Sequence, residues 1–379
     1  MIHLFSFPTR IVFGNGAHEY AIKEAPPGAR KALLVTDPGL VYLDIFNLLR
    51  ARLEAAKLDY EVFSGISPNP TTADVAAGVA AYRAAGCDWI VAMGGGSAID
   101  GAKGIRLMAT HPGQILDYDD LKNGSDRITA DMPVMIAIPT TAGTGSEVGR
   151  STVVTDPETN RKVVIFSPHL LPTAAIVDPD LMVGLPARLT AATGMDALAH
   201  CVEAYCATGY HPICDSIALG GARLVVGALE RAVWNGQDLE ARTDMAMAAT
   251  MGAVAFQKGL GLCHSLAHPL STVAGVHHGL ANGIMLWRVL EFNREALADR
   301  MTDLSRALGV PDAVAAVRDL AGQIGIPEAL AEVGVTADML PELCAQAWED
   351  ACHKLNPRRV TPEDIRDLYE QALLSASLA

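Results

Sequence analysis

Aromatic side chains are scarce in this chain of 379 residues: Phe, Tyr and Trp together make up 5% of it. A core short of large rings must close by other means. The abundance of Ala and Gly implies helices that pack tightly through small interfaces. Runs of Lys and Arg are missing and the formal net charge is −14, which argues against nonspecific nucleic-acid binding. No stretch of about 18 apolar residues runs without a break, so no transmembrane helix is expected. The opening MIHLFSFPTRIVFGNG lacks a basic segment followed by an uninterrupted apolar one. It reads as a strand of the mature protein rather than a signal peptide. The seven cysteines form no C-x-x-C pair, so free buried thiols in a reducing cytoplasm are the expectation. Low-complexity linkers and internal repeats are absent too.

What is present suffices for two domains and more than one core. Half of the chain is hydrophobic and 19% is charged, as in an ordinary soluble enzyme. Residues 1–183 alternate strand-like and helix-like patterns. ALLVTD (32–37) and YEVFSGI (60–66) read as strands, and 43–58 and 72–86 as helices, the second stopping at Gly86. WIVAMGGGSAID (89–100) reads as strand, glycine turn and helix start; PVMIAIPTTAGTGSE (133–147) reads as strand and Thr/Gly loop. This alternation predicts an α/β domain with a mostly parallel, Rossmann-like sheet covered on both faces. A hinge rich in Pro, Gly and Asp follows at 178–190. Residues 184–379 then predict an all-helical domain. Its Met-rich stretch 244–256 reads as core filling.

Ligands of parallel sheets bind at the carboxyl ends of the strands. Asp37, Gly94 to Ser97, and Thr140 to Ser146 are all predicted to lie there. Glycines at 94–96 let the backbone approach a ligand closely, and the free N–H groups at the following helix start attract a phosphate. The turn is neither G-x-G-x-x-G nor a P-loop, and a tight turn that only packs helix on strand would look the same. Asp37 can accept hydrogen bonds from ribose hydroxyls and repel a 2′-phosphate, favouring NAD over NADP; followed by Pro38 and Gly39, it can equally be a helix cap. Thr140, Thr141, Thr144 and Ser146 offer hydroxyls along one loop.

One aspartate and four histidines stand in an almost uncharged background between residues 196 and 278. Asp196 and His200 are an i,i+4 pair in GMDALAHCVE, and His264 and His268 are another in GLCHSLAHPL; His278 sits in GVHHGLAN. On a helix, residues four apart lie on one face with Cβ atoms roughly 6 Å apart. A carboxylate with neutral imidazoles suits Fe(II) or Zn(II). A single such histidine is more commonly a packed core residue. Two pairs and a fifth group together favour a metal, because little else satisfies so many buried polar atoms. A tetrahedral site takes four ligands, and spacing alone does not say which of the five is left out.

IVDPDLMVGLPARLTAATGMDALAHCVEAY, GLGLCHSLAHPL and HHGLANGI resemble the signatures of the iron-containing (group III) alcohol dehydrogenases. FGNGA, GGGSAIDGAK, PTTAGTGSEV and NPR (356–358) match in the same order, so the resemblance spans essentially the whole chain. It implies a dinucleotide-binding α/β domain, a helical domain, and a cleft between them holding NAD(P) and divalent iron, an architecture shared with dehydroquinate synthase. It implies Asp196, His200, His264 and His278 as metal ligands, with His268 beside the substrate as a proton relay. The implied cofactor positions are Asp37, Asn69, Gly95, Gly96, Ser97, Asp100, Thr140, Thr141, Thr144 and Lys162. A cytoplasmic homodimer acting on a small alcohol or aldehyde by hydride transfer is implied as well, with no nucleic-acid or membrane partner.

Two cations depart from the pattern expected of simple alcohol enzymes. Lys258, just ahead of the metal histidines, and Arg150, after the Thr/Gly loop, could hold the anionic tail of a semialdehyde or phosphonate. Lys258 could equally face solvent. A lyase of the dehydroquinate-synthase type would need a larger basic cluster. A metal-independent reductase would not need the full ligand set, and a non-enzymatic binding protein would not need the relay histidine.

Overall fold

The computed structural model describes residue 3 and residues 5–7, 9–159 and 161–374. The chain forms two compact units: Ser6–Thr141 with Gly145–Met182, and Val183–Ala379 with the segments Met1–Phe5 and Ala142–Thr144. The first unit runs β1 (Arg10–Phe13), β2 (Lys31–Val35), α1 (Asp44–Ala55), β3 (Asp59–Phe63), α2 (Thr72–Ala85), β4 (Trp89–Gly94), α3 (Gly96–Thr110), β5 (Val134–Pro139), β6 (Ser151–Asp156), β7 (Arg161–Phe166) and β8 (Ala174–Val177). Of the strand expected over the first sixteen residues, only Arg10–Phe13 is strand; Met1, Ile2, Leu4 and Pro8 lie outside the described residues.

Six strands pair in parallel in the order β1-β8-β5-β4-β2-β3. The reason the strands read as unbroken apolar runs is now visible. Leu33 and Val35, Ile90 and Ala92, and Met135 and Ala137 face one core with α2 and α3. Their neighbours Ala32 and Leu34, Val91 and Met93, and Ile136 and Ile138 face another with α1. Side chains alternate across a strand, so a sheet covered on both faces needs apolar residues at every position. β6 and β7 form a separate antiparallel hairpin, which the strand–helix alternation does not announce.

The chain proceeds from β2 outward to β3, then returns to β4 on the other side of β2 and continues outward to β5. The sheet therefore changes direction between β2 and β4, where open α/β sheets bind ligands. Asp37 follows β2 there, and Gly95, the N-cap of α3, follows β4. Gly94 holds φ of +154°, and a Cβ on it would lie 2.7 Å from Cβ of Ala98, so only glycine lets the helix start so close to the strand end.

Beneath that helix start lies a fully buried lysine. Lys103 Nζ donates to Ser146 Oγ (3.0 Å), Gly149 O (2.9 Å) and Ser151 O (2.8 Å). Three acceptors match the three donors of an ammonium, and they fasten the 146–151 segment to α3. Burial nevertheless pulls Lys103 down to about 8, against the attraction of Asp100 and Glu147. Burial likewise pushes Glu147 up to about 7.

The second unit is helical: α4 (Ala187–Cys206), α5 (Pro212–Trp234), α6 (Leu239–Ala255), α7 (Leu262–Thr272), α8 (His278–Leu308), α9 (Ala313–Gln323), α10 (Leu340–Glu349) and α11 (Pro362–Leu373). α4 is its central element, buried without interruption from Thr190 to Cys206. By length and composition α5 is apolar enough to cross a membrane, although Asp215, Arg223, Glu230 and Arg231 interrupt it, so it is not an unbroken apolar stretch of the kind sought in the sequence. Its buried face, Cys214, Ala218, Gly221, Ala222 and Val225 among others, packs on α4 and α6. The small residues that replace aromatics permit close helix contact: a Cβ on Gly279, at the start of α8, would lie 2.3 Å from the carbonyl oxygen of Ala192 on α4.

Two expectations follow. Alanine is the better helix former by about 1 kcal/mol, yet Gly279→Ala should destabilise the protein by about 1–3 kcal/mol, because α8 must move off α4. Chemical unfolding measures this, and a variant at least as stable as the parent would contradict the close crossing. For Lys103, the unfolded chain keeps its proton up to about pH 10.5 while the folded chain releases it near 8. Between those values the unfolded state binds more protons, so stability should rise with pH, by roughly 3 kcal/mol in full, relative to a Lys103→Met reference. Equal slopes for the two proteins from pH 8 to 10.5 would refute this.

Candidate active site

Asp196, His200 and Glu203 stand at i, i+4 and i+7 on α4, hence on one face. His264 is in the first turn of α7 and His278 opens α8. These helices bring four side chains to one point. Asp196 Oδ1 lies 3.9 Å from His200 Nε2, 4.0 Å from His264 Nε2 and 3.6 Å from His278 Nε2. The ligand atoms of Asp196, His200 and His264 all fall within 4.8 Å of one another. A tetrahedral ion with bonds of about 2.0–2.2 Å has ligand–ligand edges of roughly 3.3–3.6 Å, so small side-chain adjustments would close the set on one cation.

The chemistry of the donor set points the same way. Asp196, His200 and His264 are at most 4% exposed. The groups that meet here are acceptors, and the one amide donor among them is Asn282: its Nδ2 donates to Asp196 Oδ1 (2.8 Å) and lies 3.4 Å from His264 Nε2 and 3.2 Å from His278 Nε2. One amide cannot satisfy the buried ring nitrogens of His200 and His264 together with a carboxylate. Burial pulls the His200 imidazole down to about 4, despite Asp196, so the ring is neutral and ready to ligate. Burial works against charge on His264 too, but a hydrogen bond to Glu203, and the charges of Glu203 and Asp196, outweigh it and raise its proton affinity.

Three residues that the sequence reading missed complete the cluster. Glu203 Oε2 is 2.5 Å from His264 Nδ1, and its Oε1 accepts from the Cys263 backbone N–H (2.6 Å). A carboxylate can only accept here, so Nδ1 carries the hydrogen and Nε2 turns its lone pair toward Asp196. Position i+7 from Asp196 was the available signal for Glu203, and i+4 from His278 was the signal for Asn282. Asp350, whose Oδ2 is 2.7 Å from His268 Nδ1, carries no local signal. His268 stands outside the inner four, its ring stacked on that of His278 at 5.2 Å between centroids.

In the α/β unit the expected cofactor residues gather at the strand ends. Asp37 Oδ1 accepts from the Gly39 and Leu40 N–H groups (2.9 Å each), so it is a turn cap. Its Oδ2 faces the glycine turn, 3.5 Å from where a Cβ on Gly94 would be. A Cβ on Gly95 would lie 3.5 Å from Thr141 Oγ1, and Thr140 N–H donates to Gly94 O. Ser97 Oγ donates to Pro68 O (2.6 Å), next to the exposed Asn69. Gly96 opens α3. Asp100 lies deeper: its carboxylate accepts from Ser146 Oγ and the Val153 N–H, so it braces this region from below. Lys162 sits opposite Thr155 in the hairpin, where its charge favours ionised Asp100. Thr144 groups with the helical unit instead.

Lys258, expected as a contact for an anionic tail, is engaged within the helical unit. Its ammonium is buried, ion-paired to Asp215 and donating to Tyr205 O (2.8 Å). Arg300 joins the same pair, 2.9 Å from Asp215 Oδ2. These two cations neutralise Asp215 and cap the last turn of α4, a favourable place for positive charge. Arg150 donates to the Ser6 carbonyl.

Comparison with known proteins accounts for both units. The family model of iron-containing alcohol dehydrogenases matches residues 8–179, and the model of the family's C-terminal part matches 190–373. A 4-hydroxybutyrate dehydrogenase of Cupriavidus necator is 45% identical, over 91% of this chain and 93% of its own. The crystal structure of a 1,3-propanediol oxidoreductase superposes with a TM-score of 0.94 at 37% identity, covering 98% of this chain and 100% of that one. A sulfoacetaldehyde reductase of Bifidobacterium kashiwanohense in complex with NAD+ gives 0.89 at 31%, covering 98% and 99%. A parallel sheet with a glycine turn at its switch point, a helical unit with a convergent aspartate–histidine cluster, and likeness over nearly the full length together place this chain in the iron-containing alcohol dehydrogenase family, as an oxidoreductase acting on CH–OH groups with a metal and NAD.

Proposed function

We propose that the chain interconverts a primary alcohol and its aldehyde, with Asp196, His200, His264 and His278 holding one divalent ion. The observation that carries this reading is the buried set of acceptors around Asp196 Oδ1, which calls for a cation. Fe(II) is the proposed occupant; Zn(II) suits the same ligands, and supply decides between them. NAD is favoured over NADP because the free Asp37 oxygen beside Gly94 would repel a 2′-phosphate. All seven cysteines are free, which agrees with a cytoplasmic, reducing setting. A homodimer remains part of the proposal.

When bound, the ion supplies Lewis-acid polarisation of the substrate oxygen, and the nicotinamide supplies the hydride chemistry. The chain's own residues do the rest. Glu203 holds His264 by Nδ1, and Asn282 holds Asp196, so the ligand atoms need little reorganisation. The N–H groups at the start of α3 receive phosphate, while Asp37 accepts from a ribose hydroxyl. His268 takes the hydroxyl proton at Nε2 during oxidation and returns it during reduction.

We also propose an anionic substrate: an alcohol with a carboxylate at its far end, such as 4-hydroxybutyrate, and the corresponding semialdehyde. Its support is the 45% identity to a 4-hydroxybutyrate dehydrogenase. Arg150, which also donates to the Ser6 carbonyl, is the cation proposed to meet the tail.

Aldehyde-dependent NADH oxidation by protein of measured metal content tests both parts. Succinic semialdehyde should exceed butanal in kcat/KM by roughly tenfold or more, as expected for a charge-assisted contact, and His264→Ala should lose metal and turnover together. Equal or better use of butanal would remove the anionic reading. Failure of metal-loaded protein on every aldehyde would remove the whole proposal.

A further inference from the structure

The geometry points to Asp350 as the positioning residue of the proton relay: it fixes the ring of His268 and the nitrogen that carries its hydrogen. This rests on the relay role proposed above for His268 and names what makes that role possible.

Two carboxylate–histidine pairs lie one turn apart along α7. Glu203 pairs with His264 and serves the metal cluster. Asp350, the C-cap of α10, pairs with His268. Its Oδ2 is 2.7 Å from His268 Nδ1, while its Oδ1 accepts from Ser265 Oγ (2.7 Å) and from the Cys352 N–H (2.8 Å). Ser265 Oγ in turn accepts from the His353 N–H (2.8 Å). The carboxylate is therefore fastened by side chain and backbone and has little freedom to swing.

An ionised carboxylate has no hydrogen to give. His268 Nδ1 must donate to it, and the neutral ring then has its lone pair on Nε2, the nitrogen free of Asp350. Burial opposes charge on Asp350, but His268, by charge and hydrogen bond, and the Cys352 and Ser265 donors hold its carboxyl well below the usual range. The side chains of His268 and Asp350 are 21% and 19% exposed, as is that of His278 at 21%, so the pair is reachable from solvent in a way that Asp196, His200 and His264 are not. With Asp350 absent, both ring tautomers become available and the ring can turn about its own axis.

A second metal site is the other reading of this place, since His268, Asp350 and Cys352 offer atoms within 4.8 Å of one another. The hydrogen bonding argues against it. Burial and Asp350 raise the Cys352 thiol well above its ordinary value, and the thiol donates to the same carboxylate. Here donors surround an acceptor; around Asp196 the acceptors outnumber the donors.

The test uses metal-loaded full-length protein and steady-state aldehyde reduction. Asp350→Asn should keep its metal content, thermal midpoint and KM for NADH, and lower kcat by about 10- to 1,000-fold, part of the roughly 10²- to 10⁴-fold that general acid–base assistance supplies. Asp350→Glu should recover part of the loss, and Asp350→Asn in a His268→Asn background should add none. If Asp350→Asn proves insoluble, Ser265→Ala reads the same device by loosening the carboxylate, with kcat expected to fall by roughly two- to fivefold. His268→Asn alone separates the two levels: an unchanged kcat there sinks the relay itself. A slow His268→Asn beside an Asp350→Asn within twofold of the parent sinks only the positioning role, as does loss of metal from Asp350→Asn.

Discussion

Buried lone pairs need a partner, and the helical unit is arranged around a place where the protein supplies too few. Around Asp196 Oδ1, three imidazole nitrogens stand at 3.6–4.0 Å, and one amide is the donor among them. Such an arrangement is costly in the bare fold. It persists because α4 is buried on all sides and cannot turn its polar face to water. The same burial that makes the cluster costly keeps His200 neutral, which is the state a ligand must have. Cost and function thus have one physical source.

The surrounding structure serves that constraint. The missing side chain of Gly279 lets α8 approach α4 and carry His278 to the cluster. Glu203 and Asp350 each hold one of two histidines a turn apart on α7, His264 within the cluster and His268 beside it, its ring stacked on that of His278. Lys258 and Arg300 close the end of α4 through Asp215 and the Tyr205 carbonyl. In the α/β unit Lys103 plays a comparable part, fastening the segment after the Thr/Gly loop to the helix that starts at the glycine turn. Buried charge in this protein acts mainly to hold backbone in place.

Much of this was legible in the sequence, for reasons of range. Unbroken apolar runs such as WIVAM announce strands covered on both faces, and a four-residue period places Asp196 with His200. Which of five candidate groups formed the inner set was not legible from spacing; the family resemblance supplied the four that converge here. Glu203 stands at i+7 from Asp196, within reach of helical periodicity, yet nothing in the segment itself says that the acid is buried against His264. Asp350 was out of reach, since it meets His268 across 82 residues and nothing local marks it. Lys258 misled for the opposite reason. A cation near a metal motif suggests a substrate contact, and only the fold reveals that Asp215 stands beside it. The antiparallel β6–β7 hairpin was missed because its pairing lies outside the strand–helix alternation that marks the parallel sheet.

The central claim is that one carboxylate and three imidazoles share one ion. X-ray absorption on protein loaded anaerobically with Fe(II) tests it most directly. The account predicts one ion per chain, a first shell of oxygen and nitrogen at about 2.0–2.2 Å, and outer-shell scattering from three imidazoles. A sulfur neighbour, from Cys263 or Cys352, or fewer than three imidazoles would contradict it.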